Sequence, residues 1–119
     1  VYGGDHVIVE HDSDFDEHAP ELYMEQIKCM SLYDRISSPG MDPYKVKMFV
    51  YLQYQWSFFD SLGVCVHAYA PIRTFKMRDL VTLLDASTGW ESSLWELMKA
   101  GERRVNLFKM FNYREGFRA

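Results

Sequence analysis

Asp42-Pro43-Tyr44-Lys45-Val46-Lys47-Met48-Phe49-Val50-Tyr51-Leu52-Gln53-Tyr54-Gln55-Trp56-Ser57-Phe58-Phe59-Asp60-Ser61-Leu62-Gly63 is the stretch that decides the fold. Asp42 is an N-cap residue, and Pro43 suits the first helical position, where its missing N–H is no loss. Val46, Phe49, Val50, Gln53, Trp56 and Phe59 then recur at helical spacing and predict the inward stripe. Nearly every residue from Val46 to Phe59 is bulky, so the helix should be covered on several sides. Gly63 supplies a left-handed stop.

Working outward, Ser37-Ser38-Pro39-Gly40 breaks the chain before this helix. An earlier helix is expected from Pro20 to about Leu32, with Leu22, Tyr23, Ile27 and Met30 on one face. Downstream, Pro71 marks a loop. Arg78 to Ala86 suits a short helix with Leu80, Leu83 and Leu84 inward and Gly89 at its end. Ser93-Leu94-Trp95-Glu96 has the form of a capping box. The helix it opens carries Leu94, Leu97, Met98, Val105, Phe108 and Phe111, and Gly116 should end it. Gly101 lies inside that pattern at a cost of about 1 kcal/mol relative to Ala, which points to a neighbouring backbone in close approach. No alternating strand pattern or internal repeat occurs. The expected fold is all-α, an irregular arm over residues 1–18 followed by four packed helices. Residues 1–119 are expected to form one helical domain.

With 119 residues, 48% hydrophobic and 25% charged, the composition excludes disordered and low-complexity classes. The length allows one modest core. No apolar run reaches the roughly 18 residues of a membrane helix. The chain begins at Val1 and shows no signal-peptide pattern; it reads as a piece of a longer protein.

The formal net charge is −4, unevenly spread. Residues 1–20 hold six acids and no Lys or Arg, leaving 11 acids and 13 bases elsewhere. Those bases are scattered, with a mild excess in Arg103, Arg104, Lys109, Arg114 and Arg118, so nucleic acid is not an expected partner. Two cysteines, Cys29 and Cys65, exclude a disulfide scaffold, and no Asn-x-Ser/Thr sequon occurs. Both facts suit a reducing, cytoplasmic setting.

Asp12, Asp14 and Asp16 have the opening spacing of a calcium loop. Glu17 stands where Gly is needed and Tyr23 where the closing Glu is needed, so that reading is rejected. His6 and His11 lie beside carboxylates, but no zinc spacing surrounds them. His6, Glu10 and His11, in the arm from Asp5 to Asp12, could protonate or orient a carbonyl oxygen in a pocket, or belong to an exposed connector.

Asp60-Ser61-Leu62-Gly63-Val64-Cys65 falls where the long helix ends, and a helix end leaves backbone groups free for a polar ligand. On residue types alone, Asp60 caps or pairs locally and Cys65 is a small buried hydrophobe. The motif also resembles the Asp-x-x-Gly-Leu/Val-Cys element of the tungsten-containing aldehyde ferredoxin oxidoreductases. Thr88-Gly89-Trp90, Gly101-Glu102-Arg103, Asn106-Leu107, Phe111-Asn112 and Arg114-Glu115-Gly116-Phe117 follow in the order and spacing of that family's carboxy-terminal signature. The resemblance covers residues 40–117 well and the first 40 loosely.

The resemblance implies that Asp60 hydrogen-bonds a pterin of a tungsten (or molybdenum) bis-pterin cofactor. It implies that Cys65 is the last of four ligands to a 4Fe-4S cluster, with Leu62, Gly63 and Val64 walling the two groups apart. The implied parent oxidises aldehydes to carboxylic acids and passes electrons to ferredoxin. The other three cluster ligands, expected in a Cys-x-x-Cys-x-x-x-Cys motif, are not in this chain, and Cys29 fits no part of it. The chain alone is therefore expected to be inactive and, with apolar surface bared, to form a homodimer or aggregate. Glu102, Arg103, Asn106, Arg114 and Glu115 are expected to pair helix to helix. The competing reading is a non-catalytic helical interaction or scaffold domain.

Overall fold

The structure, a computed structural model, describes residues 10–69 and 73–117. The described residues form four α-helices: α1 (Glu21–Ile27), α2 (Pro43–Leu62), α3 (Met77–Thr88) and α4 (Leu94–Arg114). Their only β pairing is an isolated bridge between Tyr69 and Phe75. The expected all-α class holds. Gly3-Gly4, the Val7–Val9 run, His6 and Pro71 lie outside the described residues.

α2 begins as its sequence dictates. The Asp42 carboxylate accepts from the Lys45 backbone N–H at 2.9 Å, and Pro43 occupies the first turn. α4 opens on a complete capping box, with the Ser93 hydroxyl taking the Glu96 N–H and the Glu96 carboxylate taking the Ser93 N–H. These two long helices form the main packed pair. Gly101 explains how close they come. A Cβ at that position would overlap the Tyr54 carbonyl oxygen and lie 2.9 Å from its carbon. Close approach buries Leu97, Met98 and Val105 of α4 against α2, and Trp95 meets Tyr51 edge to face at 5.8 Å.

The buried face of α2 departs from the expected stripe. Met48, Leu52, Gln55, Phe58 and Phe59 are buried, whereas Val46 and Phe49 stand exposed. A helix bulky on nearly every side carries no directional signal of its own. The position of α4 across Tyr54 and Phe58 selects the face. Leu22 and Leu83, expected inward, also lie at the surface; Ile27, Met30 and Leu80 are buried as expected. α1 is shorter than expected. It passes at Lys28 into a 3-10 turn ending at Met30, closed by Ser31 in the left-handed region (φ 58°). α3 starts one residue early, which places Met77 in the core, and ends at Gly89 in the left-handed conformation.

Beyond a 3-10 turn at Asp12–Asp14, the described arm is irregular but tied down. Phe15 is buried, and its carbonyl accepts from Ile36 N–H at 3.0 Å. Arg35 donates to the carbonyls of Asp16 (2.9 Å) and Ala19 (2.6 Å). Lys45 pairs with Asp12 at 2.6 Å and donates to the carbonyls of Ser38 and Gly40.

Candidate functional site

The site grows from the C-terminus of α2. Phe58 and Phe59 are fully buried and lock the last turns. Gly63 then adopts φ 68°, a conformation that strains side chains with a Cβ. Its N–H donates to the Asp60 carbonyl, and Val64 N–H reaches back to the Phe59 carbonyl at 3.2 Å. This pair of bonds is the Schellman arrangement that closes orphaned helix carbonyls. The chain leaves the helix through a fixed turn, and Cys65 follows two residues later.

Each residue of the motif has a defined setting. Leu62 and Val64 are half-buried and pack on the core, which orients the turn. Among the described residues, no atom lies within 4 Å of a Cβ built on Gly63, so they leave the turn open. Cys65 is exposed, which overturns its reading as a small buried hydrophobe. Its carbonyl accepts from Ala68 and Tyr69, winding the next turn. Tyr69 stacks on Phe75 at 5.2 Å and leans on Phe59 at 6.4 Å, holding the loop against α2.

Asp60 neither caps α2 nor pairs locally. Its Oδ2 accepts from Arg104 Nη1 of α4 at 2.9 Å, and the side chain remains 49% exposed. The carboxy-terminal signature does not supply the helix-to-helix pairing expected of it. Glu102 pairs with Lys99 and Arg114 with Glu115, both within their own stretch of chain. Arg104 makes the crossing instead. The sequence signal for it was its spacing: three residues beyond Gly101, it flanks the face that packs on α2.

Cys29 is exposed as well. Its sulfur donates to the Gln26 carbonyl at 3.2 Å, and desolvation by the neighbouring chain pushes the thiol's pKa up, away from the reactive thiolate. Among the described residues, no group of three His, Cys, Asp or Glu could hold a metal ion.

The arm offers a second setting. Glu10 is buried, its Oε2 lies 3.5 Å from Arg73 Nη2, and its other oxygen has no hydrogen-bond partner among the described residues. Burial raises its pKa above the ordinary 4.5 against the opposing pull of Arg73. Glu10 is thus no part of an exposed connector. With exposed His11 it lines an open groove of about 700 Å³ beside Met41, Val46 and Phe49.

The geometry defines a helical module with an exposed carboxylate and an exposed thiol at the end of one buried helix. A family model described as "Aldehyde ferredoxin oxidoreductase, domains 2 & 3" matches residues 2–119. The chain belongs to that family. It is similar to the tungsten-containing aldehyde ferredoxin oxidoreductases of Pyrococcus furiosus and Thermococcus kodakarensis, each 32% identical over 81 residues. The match takes in 64% of this chain and 13% of either relative, so the aligned part spans about an eighth of their length. No solved structure matches the chain.

Proposed function

We propose that residues 1–119 are a helical part of the carboxy-terminal domains of a larger oxidoreductase, which oxidises aldehydes to carboxylic acids and hands the electrons to ferredoxin. In this reading Asp60 holds a pterin of a tungsten (or molybdenum) bis-pterin cofactor. Cys65 is one ligand of a 4Fe-4S cluster. Leu62, Gly63 and Val64 form the wall between them.

One observation carries the reading: Asp60, the open turn at Gly63 and the exposed Cys65 lie together on one rigid helix end. The donor chemistry fits both groups. A carboxylate accepts from the N–H donors of a pterin, and a thiolate is the usual iron–sulfur ligand. Cys65, the one thiol of the motif, supplies one of four ligands, so the remaining three belong to the rest of the parent chain. When bound, the tungstopterin supplies two-electron redox chemistry at the aldehyde and the cluster a one-electron exit. The chain's own contribution is placement: the Schellman turn fixes the step from Asp60 to Cys65, and the Tyr69–Phe75 stack steadies the loop beyond it.

In the full-length protein, Cys65→Ser should lose cluster iron while keeping the pterin. A normal cluster in that variant would sink the assignment. Partners in this reading are the remainder of the parent enzyme, ferredoxin and the aldehyde, in the cytoplasm. Among the described residues, no helix is long and apolar enough to cross a membrane.

A second reading, a non-catalytic interaction or scaffold module, is favoured by the exposed end of α4. Leu107, Met110, Phe111 and Tyr113 are all more than half exposed there. In the enzyme reading that surface meets the rest of the parent; in the scaffold reading it meets a separate partner or a second copy.

A further inference from the structure

We infer that Arg104 is a positioning residue for Asp60, holding one carboxylate oxygen in place so that the other serves as a fixed acceptor for a pterin N–H; this rests on the pterin reading of Asp60 given above. The guanidinium is itself constrained on three sides. Nη1 donates to Asp60 Oδ2 at 2.9 Å and lies 3.5 Å from the Ser57 carbonyl oxygen. Its central carbon lies 4.7 Å from the centre of the Phe108 ring. Asp60 Oδ1 has no hydrogen-bond partner among the described residues.

An exposed carboxylate on a helix end would otherwise rotate freely about its side-chain bonds. Fixing its plane lowers the ordering cost of each later hydrogen bond, which is the general advantage of preorganisation. The Arg104 charge also offsets that of Asp60, so a ligand meets an oriented acceptor rather than a bare anion. Fold stability is a weak explanation for the pair, because partly exposed ion pairs contribute little to it. The pair also joins two helices that Gly101 already holds in contact. Arg104 acts through Asp60 and touches no reacting atom in this scheme.

The test uses the full-length protein produced with tungstate, carrying Arg104→Gln, Arg104→Lys, Asp60→Asn or the Gln/Asn double substitution. Pterin per chain, iron per chain and the thermal midpoint are measured after gel filtration. Arg104→Gln should lower retained pterin by about tenfold, the scale of a lost charge-assisted hydrogen bond, with iron and thermal midpoint unchanged. Arg104→Lys should recover part of that pterin, and the double variant should retain no less than Asp60→Asn alone. Wild-type pterin in Arg104→Gln, beside pterin loss in Asp60→Asn, would overturn the inference and leave the Asp60 reading standing. So would joint loss of pterin, iron and thermal stability in Arg104→Gln without recovery by lysine, which marks a merely structural pair. Full pterin in Asp60→Asn removes the underlying reading, and the role of Arg104 falls with it.

Discussion

The two halves of α4 are built from similar residues and live in different surroundings. From Leu94 to Val105 the apolar residues Leu97, Met98 and Val105 are buried against α2, with Gly101 as the point of contact. From Leu107 onward the residues are as apolar, yet Leu107 is 66% exposed and Met110 69%. Helical periodicity runs through both halves. What differs is the presence of a partner, since α2 has turned off at Gly63 beyond the reach of the second half. Amphipathic pattern states that a helix has an apolar face; only the rest of the structure states whether that face is covered.

Substitutions in the first half and its contacts should be costly, and those in the second nearly silent. Phe59→Ala, which empties a wholly buried site beneath the Asp60 turn, should cost about 3–5 kcal/mol in urea unfolding. Gly101→Ala should cost about 1–3 kcal/mol, because the new methyl group overlaps the Tyr54 backbone and the helices must part. An unchanged denaturation midpoint for Gly101→Ala would mean that α2 and α4 do not approach as described.

The effect of Glu10 should be smaller than either and is visible as a pH dependence. Burial raises its pKa in the folded chain, so the fold binds this proton more tightly than the unfolded chain does. That contribution is fully present below the ordinary value of 4.5 and is lost as pH rises through the raised one. Glu10→Gln should flatten the fall in stability across that window, as followed by thermal melts at successive pH values. A slope identical to that of the parent chain would show that Glu10 titrates normally.

Smallest of all, Leu107→Gln or Met110→Gln in the isolated chain should shift stability by within about 0.5 kcal/mol. The same variants should reduce self-association in light scattering, because they shrink an exposed apolar patch. A loss of stability comparable to that of Gly101→Ala would place these residues in a core.

The four helices were legible because their ends carry local chemistry: Asp42 and Pro43, Ser93 with Glu96, and the left-handed stops at Gly63 and Gly89. Gly101 was legible as a contact for the same reason, since a glycine inside a helix has a cost that packing must explain. The inward face of α2 was not legible, because a run with bulky residues on every side fits several orientations. At the candidate site, the spacing of the motif singled out Asp60 and Cys65, and their placement at one helix end was legible from the position of Gly63 as a stop. Arg104 was not found. Its spacing from Gly101 sets it beside the packed face, but its partner lies 44 residues away in sequence, and periodicity on one helix does not name a partner on another. The burial of Glu10 was hidden likewise, and the partner of its carboxylate, Arg73, lies 63 residues away in sequence.

The left-handed turn at Gly63 also has a mechanical meaning. It leaves no slack between a buried rod and the thiol beyond it, so Asp60 and Cys65 move as parts of one body. In an electron-transfer protein, tunnelling falls off steeply with separation. Under the reading proposed above, groups held at Asp60 and at Cys65 would keep a constant gap, and electron passage between them would depend on this one turn.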